Sequence, residues 1–230
     1  MAKIEWDKTG ERKYQLGVSN VALYKQDKGA YPEGVAWNGI TAIKESPDGA
    51  DATDLWADNI KYGSIRAGEK YNFTPEAYFY PPEFGECDGS AEVAPGVTIS
   101  QQKRKPFGLT WQTLIGSDED DELGFTLHLV WGATASPSER SHESYNDSPD
   151  AETFSWDCDT TPVKVTGYKP TAHMELDSTK VPQAKMEKLL NILYGTANTT
   201  PYLPLPDEVI KLMTTLSIQN GIDFIKEKEK

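Results

Sequence analysis

Apolar and polar positions alternate with period two along most of this chain, and each such run reads as a β-strand with one buried face. Phe125, Leu127, Leu129 and Trp131 fall on one side of a strand whose other side carries Thr126, His128 and Val130. Phe73, Ala77 and Phe79 alternate with Asn72, Thr74 and Glu76. Pro75 interrupts that run without a ladder donor, so the strand is expected to be an edge or to carry a bulge. Ala172, Met174 and Leu176 alternate with Thr171, His173, Glu175 and Asp177, and Val163 and Val165 flank Lys164. Half-buried antiparallel strands are the expectation throughout.

Turn chemistry separates these runs. Ser46-Pro47-Asp48-Gly49 has Pro second and Gly fourth, which suits a type I turn. It lies between two β-like arms, residues 35–45 and 53–63. The predicted product is a projecting hairpin with a polar tip, Glu45, Ser46, Pro47, Asp48, Gly49, Ala50 and Asp51, and with Trp37 and Trp56 exposed on its arms. Asp88-Gly89 and Pro95-Gly96 bracket a second connection. Asp118, Glu119, Asp120, Asp121 and Glu122 make an acidic tip ahead of the strand that starts near Leu123.

Helical periodicity appears only late. Met186, Leu189, Leu190 and Leu193 recur at helical spacing, Pro182 suits a first turn, and Gly195 is a natural stop. A shorter helix is expected to begin near Asp207, using Val209, Ile210, Met213 and Leu216. The predicted architecture is a mainly β, antiparallel β-sandwich or barrel with one packed α-helix and projecting hairpins. Residues 1–213 form one domain in this reading, and residues 214–230, which end in an apolar-free Lys/Glu run, form a flexible extension.

Composition narrows the function classes. Six Trp, eleven Tyr and seven Phe supply bulky side chains for a thin sheet core, although apolar residues make up only 37% of the chain. With 36 acidic against 23 basic residues the net charge is −13, and such a surface repels the phosphate backbone. Lys103-Arg104-Lys105 therefore reads as a solvated strand end rather than a nucleic-acid patch. Cys87 and Cys158 provide no disulfide framework, and Cys158, alternating with Phe154 and Trp156, is expected as a core thiol. The charged segment at residues 1–7 does not resemble a signal peptide and no window approaches a membrane span, so a reducing cytoplasm and no membrane contact are expected.

No catalytic constellation emerges. His128, His142 and His173 are expected on separate surfaces without pairing, and no metal or cofactor is expected. The acidic tip lacks the glycine and the distal Glu of an EF-hand loop. Acidic pairs such as Asp150 and Glu152 carry no glycosidase signal among so many carboxylates, and Ser141-His142-Glu143 are sequence neighbours rather than a triad. An enzyme is not expected.

Three long segments in order carry a family likeness: WNGITAIKESPDGADATDLWADNIKYG (Trp37 to Gly63), AEVAPGVTISQQKRKPFGLTW (Ala91 to Trp111), and the stretch from GFTLHLVWGATAS at Gly124 to KLLNILYG at Gly195. Together they resemble the major tail protein, or tail tube protein, of long-tailed, non-contractile bacteriophages. The resemblance implies a structural virion protein without cofactors. Its subunits would close into homohexameric rings that stack into a hollow tube, in contact with tape measure, tail terminator and distal tail proteins. Double-stranded DNA would pass through without specific binding. Assembly would take place in the bacterial host cytoplasm and the product would reside in the virion tail. The Glu45 to Asp51 tip would contribute contacts between subunits, and the Asp118 to Glu122 tip would line the lumen or its rim. The alternative of another class is a β-sandwich carbohydrate-binding or adhesion module of the virion, for which exposed tryptophans would serve as sugar platforms.

Overall fold

The computed structural model describes residues 4–49, 51–140, 142, 144 and 151–215. Its strands are β1 (Lys13–Lys25), β2 (Gly34–Ala36), β3 (Ile40–Glu45), β4 (Ala52–Ala57), β5 (Ile60–Arg66), β6 (Asn72–Ala77), β7 (Ala91–Ala94), β8 (Val97–Ile99), β9 (Phe107–Ser117), β10 (Gly124–Pro137), β11 (Phe154–Thr160) and β12 (His173–Asp177). The helices are α1 (Gly85–Asp88), α2 (Gln183–Tyr194) and α3 (Pro206–Thr214). Eight strands form one antiparallel sheet in the order β2-β1-β9-β10-β11-β6-β3, with β12 added beside β10. Two hairpins, β4–β5 and β7–β8, stand apart from it.

β10 is the spine of the sheet. β9 pairs along one edge of it, while the other edge serves β12 from Thr126 to Val130 and then β11 from Ala133 to Pro137. The handover falls at Gly132, whose φ of +65° is open to glycine and strained for other residues. Its N–H donates to the Tyr31 hydroxyl at 2.8 Å, and its carbonyl accepts from the Thr161 N–H at 2.9 Å. The β9 ladder shifts register at the same place, between Val130 and Ala133. The result is a bulge-like bend that turns one strand into a partner of three.

Alternation along the strands divides the apolar residues between two cores. Val21, Leu23, Phe107, Leu109, Trp111 and Val130 face one side, where they meet Trp37, Phe84 and Trp156. Ala22, Tyr24, Leu127, Leu129 and Trp131 face the other, beneath Met186, Leu189 and Leu193 of α2 and Val209 of α3. Truncating a side chain as buried as Leu189 or Leu193 to alanine costs about 2–5 kcal/mol in a core of this kind. α2 runs between Pro182 and Gly195 as its periodicity predicts, and α3 starts at Pro206, one residue before the expected position. Tyr24 Oη donates to the Leu193 carbonyl at 2.7 Å and Trp131 Nε1 to the Pro204 carbonyl at 3.0 Å, so both helical segments are strapped to the sheet by buried aromatic donors. Asp207, in the first turn of α3, accepts from the Thr166 N–H and hydroxyl, which holds its carboxyl below the usual range.

The mainly antiparallel β architecture is as expected, but several local expectations change. The turn at Ser46–Gly49 does not join the two arms to each other. β3 pairs with β6 instead, and β4 pairs with β5, because Asp58 and Asn59 supply the two-residue turn that closes the β4–β5 hairpin. Both have positive φ, 51° and 63°, as a type I′ turn requires. Trp37 is buried, 2% exposed, and donates from Nε1 to the Phe79 carbonyl at 3.0 Å; it packs 4.4 Å from Phe84 and 5.5 Å from Trp156. Pro75 lies neither on an edge strand nor on a bulged one: β6 runs between β11 and β3, and the extra residue at the register shift belongs to β3, between Ile40 and Ala42. Phe79 lies beyond β6 and is 68% exposed rather than in its apolar row. Cys87 and Cys158 are both free and buried, and burial pushes the Cys87 thiol up to about 12 and the Cys158 thiol well above its ordinary value.

A Cβ at residue 132 would run into the Thr161 carbonyl as well as strain the backbone. Gly132→Ala should therefore destabilise the fold by about 2 kcal/mol or more. Urea unfolding checks this; a loss comparable to that of an ordinary surface substitution would show that β10 can bend without the glycine.

Candidate functional site

The chain between β3 and β6 leaves the sheet and returns as a single excursion. Its neck is held by Ser46 N–H to the Asn72 carbonyl at 2.8 Å and by a reciprocal pair between Asp48 and Lys70 at 2.8 and 3.1 Å. Glu45, Ser46 and Asp48 thus belong to the neck rather than to a tip; Ala50 lies outside the described residues. Beyond the neck, β4 and β5 bear Leu55, Trp56, Ile60, Tyr62 and Ile65, all exposed, with Trp56 at 68% and Tyr62 at 78%. A two-stranded ribbon with bare apolar side chains on it gains nothing from the body and is marginal alone. The second hairpin, β7–β8, turns at Pro95-Gly96 and exposes Val93, Val97 and Ile99.

The acidic tip closes the β9–β10 hairpin and is fastened to the N-terminal segment. Asp118 accepts from the Gly10 N–H at 2.9 Å and Asp121 from the Tyr14 hydroxyl at 2.7 Å, which raises the Tyr14 phenol. Ser117 accepts from the N–H groups of Glu119 and Asp120, and Asp120 accepts from the Glu122 N–H at 3.0 Å. Glu119 and Glu122 remain exposed.

The structure overturns the expectation that the histidines do not pair. His128 on β10 and His173 on β12 lie on adjacent strands and on the same face, with Nδ1 of the first 3.3 Å from Nε2 of the second. Trp111 stacks on His128 with centroids 4.8 Å apart, and Tyr71 stacks on His173 at 4.4 Å, so four rings lie nearly parallel. Glu45 and Glu175 flank the pair, 3.7 and 3.6 Å from His128 Nδ1. Desolvation lowers both imidazoles from 6.5 to about 4, so they are neutral at pH 7 and these contacts are not ion pairs. Burial raises the Glu45 carboxyl. His142 stands apart, beside Glu152 at 2.9 Å.

Trp56 is legible in the sequence as part of a projecting hairpin, whereas the exposure of Ile60, Tyr62 and Ile65 is not. Asp58-Asn59, a pair tolerant of positive φ between two strand-like runs, was the available signal. The histidine cluster had no linear signal, because residues 45, 128 and 173 meet only through sheet register.

No family model and no curated protein matches the sequence. Among solved structures, the chain is similar to the sheath/tube terminator of an extracellular contractile injection system in its extended state. The TM-score is 0.31 and the identity 13%, over 69% of this chain and 96% of that one. A likeness of that size carries no argument about function.

Both histidines bind fewer protons folded than unfolded, so their contribution to stability is complete above pH 6.5 and is lost as pH falls toward 4. The raised Glu45 acts in the opposite sense, and Glu175 faces the same pair. Chemical denaturation at pH 7 and pH 4.5 should show a steeper loss in Glu45→Gln than in the unaltered chain, and a shallower loss in His173→Gln. Equal slopes in all three would mean that the imidazoles titrate freely.

Proposed function

We propose that this chain is the major tail tube protein of a long-tailed, non-contractile bacteriophage. In this reading its subunits close into hexameric rings that stack into a hollow tube for DNA passage. The observation that carries it is the β4–β5 arm, a projecting hairpin whose Leu55, Trp56, Ile60, Tyr62 and Ile65 are exposed. Such an arm suits burial against a neighbouring subunit, where Trp and Tyr give most contact area for least lost freedom. β2 and β3, the ends of the sheet path, offer edges on which a neighbour's strand can continue. The segment likeness to tail tube proteins points the same way.

The remaining roles follow from that assembly. Rings would contact further copies, the tape measure, tail terminator and distal tail proteins, and the complex would form in the bacterial cytoplasm before residing in the virion. Glu45 to Asp51, as the neck, would set the direction of the arm between subunits. Asp118 to Glu122 would line the lumen or its rim, where negative charge keeps duplex DNA from adhering. No catalytic step belongs to this function. Exposed Trp56 and Tyr62 also suit a carbohydrate-binding or adhesion module, for which a monomer that binds glycans would be the signature.

Negative-stain electron microscopy of concentrated protein should show rings or tubes. Only a 25.5 kDa monomer by light scattering under all conditions, with no tubes, would sink the tube reading. Replacing Trp56 and Tyr62 by Ser should leave the circular dichroism intact and abolish tubes. In virions, Glu119→Lys with Glu122→Lys should slow DNA ejection, whereas normal ejection would place the acidic tip on the outer surface.

A further inference from the structure

Glu45, His128, His173 and Glu175 present one ligand atom each to a common point, and those four atoms all lie within 4.8 Å of one another. We propose that they form a binding site for a divalent transition-metal ion of the Zn²⁺ type, which fastens the root of the β4–β5 arm to the body of the sheet. The site stands whether or not the chain builds a tube.

The spacing suits the ion. Tetrahedral coordination at about 2.0–2.1 Å puts neighbouring ligand atoms about 3.3 Å apart. His128 Nδ1 and His173 Nε2 are 3.3 Å apart. Glu175 Oε1 is 3.6 Å from the first and 4.0 Å from the second, and Glu45 Oε1 is 3.7 Å from His128 Nδ1. The two carboxylate side chains are 33% and 54% exposed, so they can swing inward by rotamer adjustment while the imidazoles stay fixed. Two imidazoles and two carboxylates make a mixed nitrogen and oxygen set, which favours Zn²⁺ over the oxygen-seeking Ca²⁺ and Mg²⁺.

The surroundings hold the ligands in place. Thr113 Oγ1 lies 3.1 Å from His128 Nε2. A proton on Nε2 donated to that hydroxyl leaves the Nδ1 lone pair aimed at the other three ligands, the outer hydrogen bond that orients a metal-bound histidine. Trp111 and Tyr71 sandwich the two imidazoles and fix their planes. The Tyr71 hydroxyl is buried and faces the Glu45 carboxylate without reaching hydrogen-bonding geometry, so a small inward movement of Glu45 is compatible with it. A cleft of about 250 Å³, lined by Glu69, Tyr71, Pro162, Thr171 and His173, opens on the His173 side of the pair.

The connection is one that the sheet itself does not make. Glu45 is the last residue of β3, which among the described strands pairs with β6 alone, whereas His128 belongs to β10 and His173 and Glu175 to β12. An ion at this point ties β3 to the paired strands β10 and β12, with which it shares no ladder among the described residues, at the place where the chain departs for the arm. Because the site exists only in the folded chain, metal should stabilise the native state.

Titration of Zn²⁺ into the metal-stripped full-length protein by calorimetry should show one saturable equivalent, with a raised melting temperature. Co²⁺ in its place should give the visible absorption bands of a tetrahedral site. His173→Gln and Glu175→Gln should each weaken binding by about tenfold or more. Glu175 has an exposed side chain, so its variant keeps the test open if the histidine variant folds poorly. His142→Gln, at the histidine beside Glu152, should leave affinity unchanged. Absence of a saturable Zn²⁺ equivalent, or an affinity unaltered by either ligand substitution in a folded variant, would overturn the proposal and leave the imidazoles as a buried hydrogen-bonded pair.

Discussion

A strand offers hydrogen-bonding groups along two edges, and β10 serves three partners by changing one of them halfway along its length. Everything distinctive about the body follows from that change. Gly132 supplies the conformation for it, with a positive φ and no Cβ to meet the Thr161 carbonyl. Tyr31 and Thr161 satisfy its backbone groups, so the break in the ladder leaves no orphaned donor or acceptor there. Before the break β12 is in register, and after it β11 takes over and leads through β6 to β3. The bend thereby gives the sheet a long path on one side and a short branch on the other.

That branch decides where polar residues end up. The face that buries Val130 and Trp111 continues toward His128, and pairing with β12 sets His173 and Glu175 on the same side. Burying two imidazoles is unfavourable for their charged forms, and the protein answers by keeping them neutral and stacked between Trp111 and Tyr71. Glu45 reaches the cluster from β3, so the origin of the arm and the centre of the sheet meet at one polar point.

The arms obey a different physics from the body. Tyr24, Trp131 and Leu189 are fully buried, whereas Trp56 and Tyr62 on the β4–β5 ribbon face solvent. Among the described residues nothing covers these side chains, so they add exposed apolar surface rather than core to the ribbon. Copies that each carry a formal charge of −13 repel one another at long range, and screening over about 8 Å at physiological ionic strength weakens that repulsion.

The sequence by itself determined the strand class, the burial of Trp131, Trp156 and Cys158, and both ends of α2, because each depends on local periodicity or on a Pro or Gly at a boundary. It also determined the sign of the surface charge. Only the tertiary structure decided which strands pair. The run at residues 35–45 was attractive as one arm of a hairpin, yet β3 found β6 across the excursion, since Asp58-Asn59 closed a tighter hairpin with less chain to order. Trp37 was drawn into the core by Phe84 and Trp156, elements far from it in sequence. The histidine cluster was invisible for the same reason: alternation tells which face a side chain takes, but only the register between β10 and β12 and the return of β3 beside them tell whose face it meets.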